Sequence, residues 1–551
     1  MRVVWLMSLA LLASCAPEEA EVADSGIEQL NARQQLIRVS VDLRGVHPSE
    51  ADLQLIETQP WAYDEFVDRY IEDPRFLDRM EEVFNYRYLT RTGDVYFDDW
   101  ADMGLGAVDE RRLAESIADE PLRLLRYTIE NDLPYSYVVT ANHTMADPLL
   151  AEAWRLDYPS GEEGWQQAYY TDGRPMAGIL SMTTTWVRYP SAGVNGNRHR
   201  ANQLSRMFLC DDYLARPVSF SRSQVDAITT GDPNDVIATT PTCQSCHSSL
   251  DPLSAHFFGF WWEVEGGVKA QTTYRAEDEE YYQDYGRRTP GYYGVPTVGL
   301  EEMSAHLSED SRFADCAVTT VFDGLTQRIT SDDDWQEMHR HREAFVTNDM
   351  NIKELVRSIV LSPEYRVSVV DEQVNGDDLA DRIENVKMVT PSQLSSIIAD
   401  KTGYRWKFDD RDGLGKNERG LAVLGGGIDG RFVRTPSHAP SVGMVLIQER
   451  IAQAAGWHVA QNDLQIETPE DRILLKYINL TDTPETHAEA FDYQIRDLYL
   501  QLTGVALDPE ATEPADLQVL WKQIYSMHNS SEAAWAGIVS VVLRDPLVLF
   551  Y

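Results

Sequence analysis

The residues best placed to do chemistry stand in one short run, Pro241-Thr242-Cys243-Gln244-Ser245-Cys246-His247. Two cysteines separated by two residues and followed at once by histidine have the spacing of covalent c-type haem attachment. In a helical turn both thiols face the two vinyl groups of one porphyrin, and the adjacent imidazole faces the iron as proximal ligand. Haem c is therefore the expected cofactor, held by Cys243, Cys246 and His247. Three other uses of the pair stay open. A thiol–disulfide oxidoreductase would need a thioredoxin-like strand and helix context that the pattern lacks. A structural zinc site would need a second ligand pair at suitable spacing. A local disulfide would need nothing more.

The second axial position decides between carrier and catalyst. Methionine would close the iron and raise its potential, whereas an empty site would admit peroxide or oxygen. Met303, in Glu301-Glu302-Met303-Ser304-Ala305-His306, is the expected sixth ligand, with His306, His256, His199, Met182 and Met207 as rivals. A core-filling role competes for any of these methionines. His339 and His341 lie in the charged run Met338-His339-Arg340-His341-Arg342 and are expected to face solvent.

The surroundings of the motif carry a family resemblance. Cys243 through Pro252 reads CQSCHSSLDP and is followed by Phe257-Phe258-Gly259-Phe260, which resembles the attachment segment of the large planctomycete-type cytochrome c proteins. Residues 179–210, the run from Phe313 to Arg328 and the run from Leu355 to Arg366 resemble the segments that flank it. Arg38 through Ser49 resembles the opening of a related cytochrome-associated module. The resemblance implies an exported mono-haem protein with helical flanking modules, over roughly residues 35 to 370, and only the haem motif in it is highly specific. His256 and the expanded Trp261-Trp262 segment depart from the family's shorter glycine-rich run.

Three further cysteines remain. Met1-Arg2, an apolar run from Val3 to Ala13, and Ser14-Cys15 read as a signal segment. Leu12-Ala13-Ser14-Cys15 resembles the lipobox of bacterial lipoproteins, which implies acylation at Cys15, a membrane held through that anchor, and export. Ala16 is not the aspartate associated with inner-membrane retention, so the expected location is the periplasmic side of the outer membrane or the cell surface. Cys210 and Cys316 bracket the haem motif, and in an oxidising compartment they either pair or persist as two separate thiols.

The elements that must position these groups read as helices. The chain has 551 residues, 43% of them hydrophobic, which is enough for about three domains. Apolar residues recur at helical spacing, as in Ala62, Phe66, Val67, Tyr70 and Ile71, while strand-like alternation is scarce. The expectation is a mainly α, multi-domain helical protein with a central cytochrome c-like haem domain and long loops. Its segments are a signal peptide (1–14), a flexible acidic tether (15–28), an N-terminal helical domain (29–150), a haem domain (151–374) and a C-terminal helical domain (375–551). Glycines 45, 403 and 504 close periodic runs and suit helix C-termini, and Asp73-Pro74, Ser362-Pro363 and Asp545-Pro546 mark helix ends. Gly425 through Gly430 lacks the lysine and hydroxyl residue of a phosphate loop and reads as a turn.

The formal charge of -41, from 48 basic and 89 acidic residues, makes nucleic acid a poor partner. No nucleophile, base and orienting-acid set can be assembled from spacing, so no catalytic residue is assigned. An electron-transfer lipoprotein with an unidentified redox partner protein is the leading expectation. A haem peroxidase or oxygenase with an open distal site is the first alternative, and a surface scaffold with a structural haem the second.

Overall fold

The computed structural model describes residues 26–92, 108–191, 195–260, 273–284, 289–370 and 386–551. Cys15, the signal segment and Trp261-Trp262 lie outside the described residues. Helices joined by long loops dominate, and strand occurs among the described residues as four short antiparallel pairs.

Local sequence sets most helix ends. Ala32–Arg44 begins with Asn31 and Gln34 in a reciprocal capping box, so two otherwise unpaired N–H groups are satisfied. It ends at Gly45 with φ 68°, and Pro391–Thr402 and Ala488–Thr503 end the same way at Gly403 and Gly504, with φ 71° and 75°. That left-handed conformation costs glycine nothing and lets the cap N–H return to the last helical turn. A Cβ at Gly504 would also lie 2.8 Å from Ile37 Cδ1, so this glycine lets the C-terminal region close on the first helix. At each of the three proline sites the preceding helix has ended, and Asp73 and Asp545 cap the helical segments that follow.

The chain is in place earlier than the expected tether allows. Ile27–Gln29 is a strand paired antiparallel with Val367–Val370, so the last two positions assigned to the tether are instead pinned by backbone hydrogen bonds to a segment over 300 residues away. One cluster of buried apolar side chains runs from Leu36 to Leu549, so the three segments expected as domains share a core. A smaller cluster gathers Leu113, Ile117, Leu150 and Trp154. The C-terminus closes the fold: Val389 N–H donates to Leu549 C=O at 2.8 Å and Tyr551 N–H to Lys387 C=O at 3.0 Å. No helix among the described residues is long and apolar enough to cross a membrane.

Burial of a histidine just after the first helix makes stability depend on pH. His47 is 6% exposed, its Nδ1 has no hydrogen-bond partner, and burial reinforced by the Lys401 charge lowers its pKa from 6.5 to about 3. Unfolded chains take up this proton below pH 6.5 and folded chains only near pH 3, so stability falls as pH drops through that window. Each pH unit there costs about 1.4 kcal/mol. In urea titrations between pH 6.5 and 4, His47→Gln is expected to remove about that much from the slope per unit. Equal slopes in the two proteins would contradict the assignment.

Candidate haem-attachment site

The motif lies on the helix Pro241–Ser254, which Pro241 opens at its first turn, where the missing N–H costs no hydrogen bond. Cys243 and Cys246 are one helical turn apart, and His247 is one turn beyond Cys243. Both thiols are unpaired; Cys243 is buried, and Cys246 and His247 are partly exposed.

His247 is oriented from behind. Its Nδ1 lies 2.9 Å from Asp251 Oδ1, one turn further along the same helix. Asp251 is held in turn by Arg198, whose Nε and terminal nitrogen donate to its two oxygens at 2.7 and 3.2 Å. Arg198 is the first residue of the packed helix Arg198–Phe208. The carboxylate favours the tautomer protonated at Nδ1, which leaves the Nε2 lone pair free for a ligand bond.

The aromatic stretch after the motif is core. Phe257, Phe258 and Phe260 are fully buried, and Trp186 packs on Phe257 with ring centroids 4.4 Å apart. Gly259 is required there, because a Cβ would lie 2.2 Å from the Tyr274 ring. Arg200 reaches in from the 198–208 helix to donate to the Phe260 carbonyl at 2.5 Å, and burial lowers its pKa to about 9.

The other side of the motif helix differs. Tyr213 and Ser249 share a hydroxyl hydrogen bond of 2.7 Å, and Gln224 Nε2 donates to Thr242 Oγ1 at 3.4 Å, so the segment between 213 and 224 runs along the motif. Its apolar side chains are uncovered: Leu214 is 82% exposed, Phe220 49% and Val225 45%. The helix Arg222–Thr230 buries no residue at all. A nine-residue helix is marginal in water without a face to pack on, and a run of exposed apolar groups beside a binding motif marks a surface meant to be covered.

The expected axial ligands are distributed differently. Met303, on Gly299–Glu309, is fully buried in the main core, as are Met182 and Met207. His256 is buried with Nε2 2.9 Å from Thr297 Oγ1, and burial lowers its pKa to about 4. His306 stacks on Tyr292, and His199 sits beside Tyr189 with its pKa lowered by burial and by the charges of Arg200, Arg188, Arg206 and Arg434. His339 is exposed as expected. His341 is not: it is fully buried, with Nδ1 2.8 Å from Ser358 Oγ and Nε2 3.4 Å from Glu337 Oε1. Its charged neighbours occupy other faces of Trp335–Thr347, and the helical period puts His341 in line with Glu337 and Phe345, both buried.

Cys210 and Cys316 form a disulfide, with Cα atoms 5.2 Å apart across 106 residues, and so enclose the motif in a covalent loop. The sequence reading missed Asp251, Arg198 and the uncovered 213–228 segment. A histidine and an aspartate four residues apart on one helix were the available signal for Asp251; Arg198 and the segment come from packing. Comparison with models of known protein families, with curated proteins and with solved structures finds no match to this chain.

Proposed function

We propose that this chain is an exported mono-haem c-type cytochrome acting in electron transfer, with haem c joined to Cys243 and Cys246 and ligated by His247. The observation that carries the reading is the pairing of unmade bonds with an uncovered surface. Two unpaired thiols and a histidine whose Nδ1 is held by Asp251 lie on one helix, beside the exposed apolar side chains of Leu214, Phe220 and Val225. Bound haem would supply a reversible one-electron couple. In this chain, Cys243 and Cys246 would fix it covalently, Asp251 and Arg198 would hold the His247 ring, and the 213–228 segment would exclude water from it. The stretch 151–374 is then a haem domain, and an acylated Cys15 would tether the protein to the outer membrane facing its redox partner.

Protein produced with a c-type maturation system is expected to retain its haem through acid-acetone extraction, because thioether bonds survive it. The variant Cys243→Ala/Cys246→Ala should retain none. Wild-type protein that carries no haem, or releases it to the solvent, rejects the reading.

One observation favours a second reading, a haem peroxidase or oxygenase. A carboxylate on Nδ1 makes an imidazole a stronger donor and favours oxidised iron, as catalysis on peroxide or oxygen requires. The sixth ligand separates the two. If Met303 closes the iron, reduced wild-type protein is silent to carbon monoxide and Met303→Ala binds it. If the wild type binds carbon monoxide readily, the catalytic reading replaces the carrier.

A further inference from the structure

Away from the motif, the helices Pro74–Tyr88, Glu110–Glu130 and Pro391–Thr402 and the loop from 405 to 432 surround a cleft of about 1220 Å3. Its volume exceeds the roughly 300–1,000 Å3 of sites for single small molecules. Its charge opposes that of the chain. The protein as a whole has 48 basic residues against 89 acidic ones, whereas the described lining has eleven Lys and Arg against eight Asp and Glu.

The distribution of those charges matters more than their count. At the floor, Arg91 and Arg123 are committed to structure. Arg91 donates to Glu81 and Asp119, both at 2.6 Å, and Arg123 donates to the same two carboxylates at 2.8 and 3.3 Å. Lys416 lines the same cleft near Asp119, is exposed, and forms no ion pair among the described residues. Asp119 raises its pKa, but partial loss of hydration and the charges of Arg91 and Arg123 bring it below the ordinary lysine value. Arg419, also exposed, has no acidic partner among the described residues and lies over the Phe408 ring at 4.3 Å.

The loop that carries these two cations is held in an unfavourable shape. Asn417 and Arg419 have φ of 50° and 56°, which side chains rarely adopt. Asp412 fixes the loop's root by accepting from Leu414 N–H at 3.0 Å, Gly415 N–H at 2.9 Å and Ser395 Oγ at 2.8 Å. Backbone strain of this kind persists where surrounding structure imposes it, and it concentrates at ligand clamps.

We propose that this cleft binds an acidic oligosaccharide, with Lys416 and Arg419 meeting its carboxylates. Two exposed cations that form no ion pair among the described residues focus an attractive field on an anion at the cleft. The paired acidic groups that remain select the class: they accept hydrogen bonds from hydroxyls, but they repel a phosphate chain, whose charge per unit is larger. Phe432, a lining residue 80% exposed, offers an apolar face to a sugar ring. The proposal is independent of the haem.

Calorimetry of the full chain with oligogalacturonate, in about 20 mM salt, tests it. Binding is expected, and it should weaken in about 0.5 M salt, where charges are screened beyond a few ångströms. The variant Lys416→Ala/Arg419→Ala should lose about tenfold or more in affinity, while Lys522→Ala, which removes a surface lysine paired with Glu485 outside the cleft, should lose none. Because both cleft cations are exposed, the double variant should keep its circular dichroism spectrum; should it misfold, Lys416→Gln alone repeats the test. No binding, an equal loss in Lys522→Ala, or tighter binding of tripolyphosphate than of oligogalacturonate overturns the proposal.

Discussion

Replacing Lys387 by methionine is expected to lower the unfolding free energy by about 3–5 kcal/mol. The Lys387 ammonium is 2% exposed and lies 2.5 Å from Asp42 Oδ2 and 2.6 Å from the Leu325 carbonyl. Asp42 is 1% exposed and also accepts from the hydroxyls of Tyr365 and Tyr551, the latter at 2.6 Å. This one carboxylate therefore joins the first helix, the segment after residue 360, the start of the C-terminal region and the last residue of the chain. Burial pulls the Lys387 pKa down to about 8 although Asp42 opposes the shift, so desolvation is the larger effect. A pair of this kind contributes little net stability compared with apolar groups of similar size, but losing one partner strands the other charge. The double variant Asp42→Asn/Lys387→Met should therefore recover much of the loss, and a urea-unfolding double-mutant cycle reads the coupling directly. Single variants within about 1 kcal/mol of wild type would show that the site relaxes or admits water.

The disulfide gives the second large effect. Opening Cys210–Cys316 with Cys210→Ala/Cys316→Ala is expected to cost about 2–5 kcal/mol, because the bridge removes the freedom of a loop of 106 residues from the unfolded chain. The loss should be felt first near the motif. The 213–228 segment lies inside the loop and buries few side chains, so it depends on its ends being held. Thermal unfolding with and without reductant measures the cost, and limited proteolysis should shift towards residues 213–240 in the variant. Alkylation of both thiols in the native, unreduced protein would refute the bridge.

Local chemistry accounts for what could be read in advance. Asn31, Ser49 and Thr390 cap helices because their side chains accept from nearby N–H groups, and Gly45, Gly403 and Gly504 end them because only glycine adopts positive φ freely. The spacing of Cys243, Cys246 and His247 places all three on one helical turn wherever that helix packs. His247 and Asp251 were equally legible, at positions four apart, but the aspartate entered the reading only as part of the segment that carries the family resemblance. His341 shows where composition misleads: its neighbours in sequence are charged, yet its neighbours at the helical period are buried.

The sequence by itself thus determined the helical class, most helix ends and the geometry of the motif, since each depends on residues within about one turn of each other. Tertiary structure decided which carboxylate meets Lys387, which thiols join, which apolar side chains near the motif stay exposed, and that Lys416 and Arg91 line one cleft. Asp42 and Lys387 are 345 residues apart, and nothing in either neighbourhood specifies the other. Such partners are selected by how the helices share one core, and packing depends on the shape of all the side chains together.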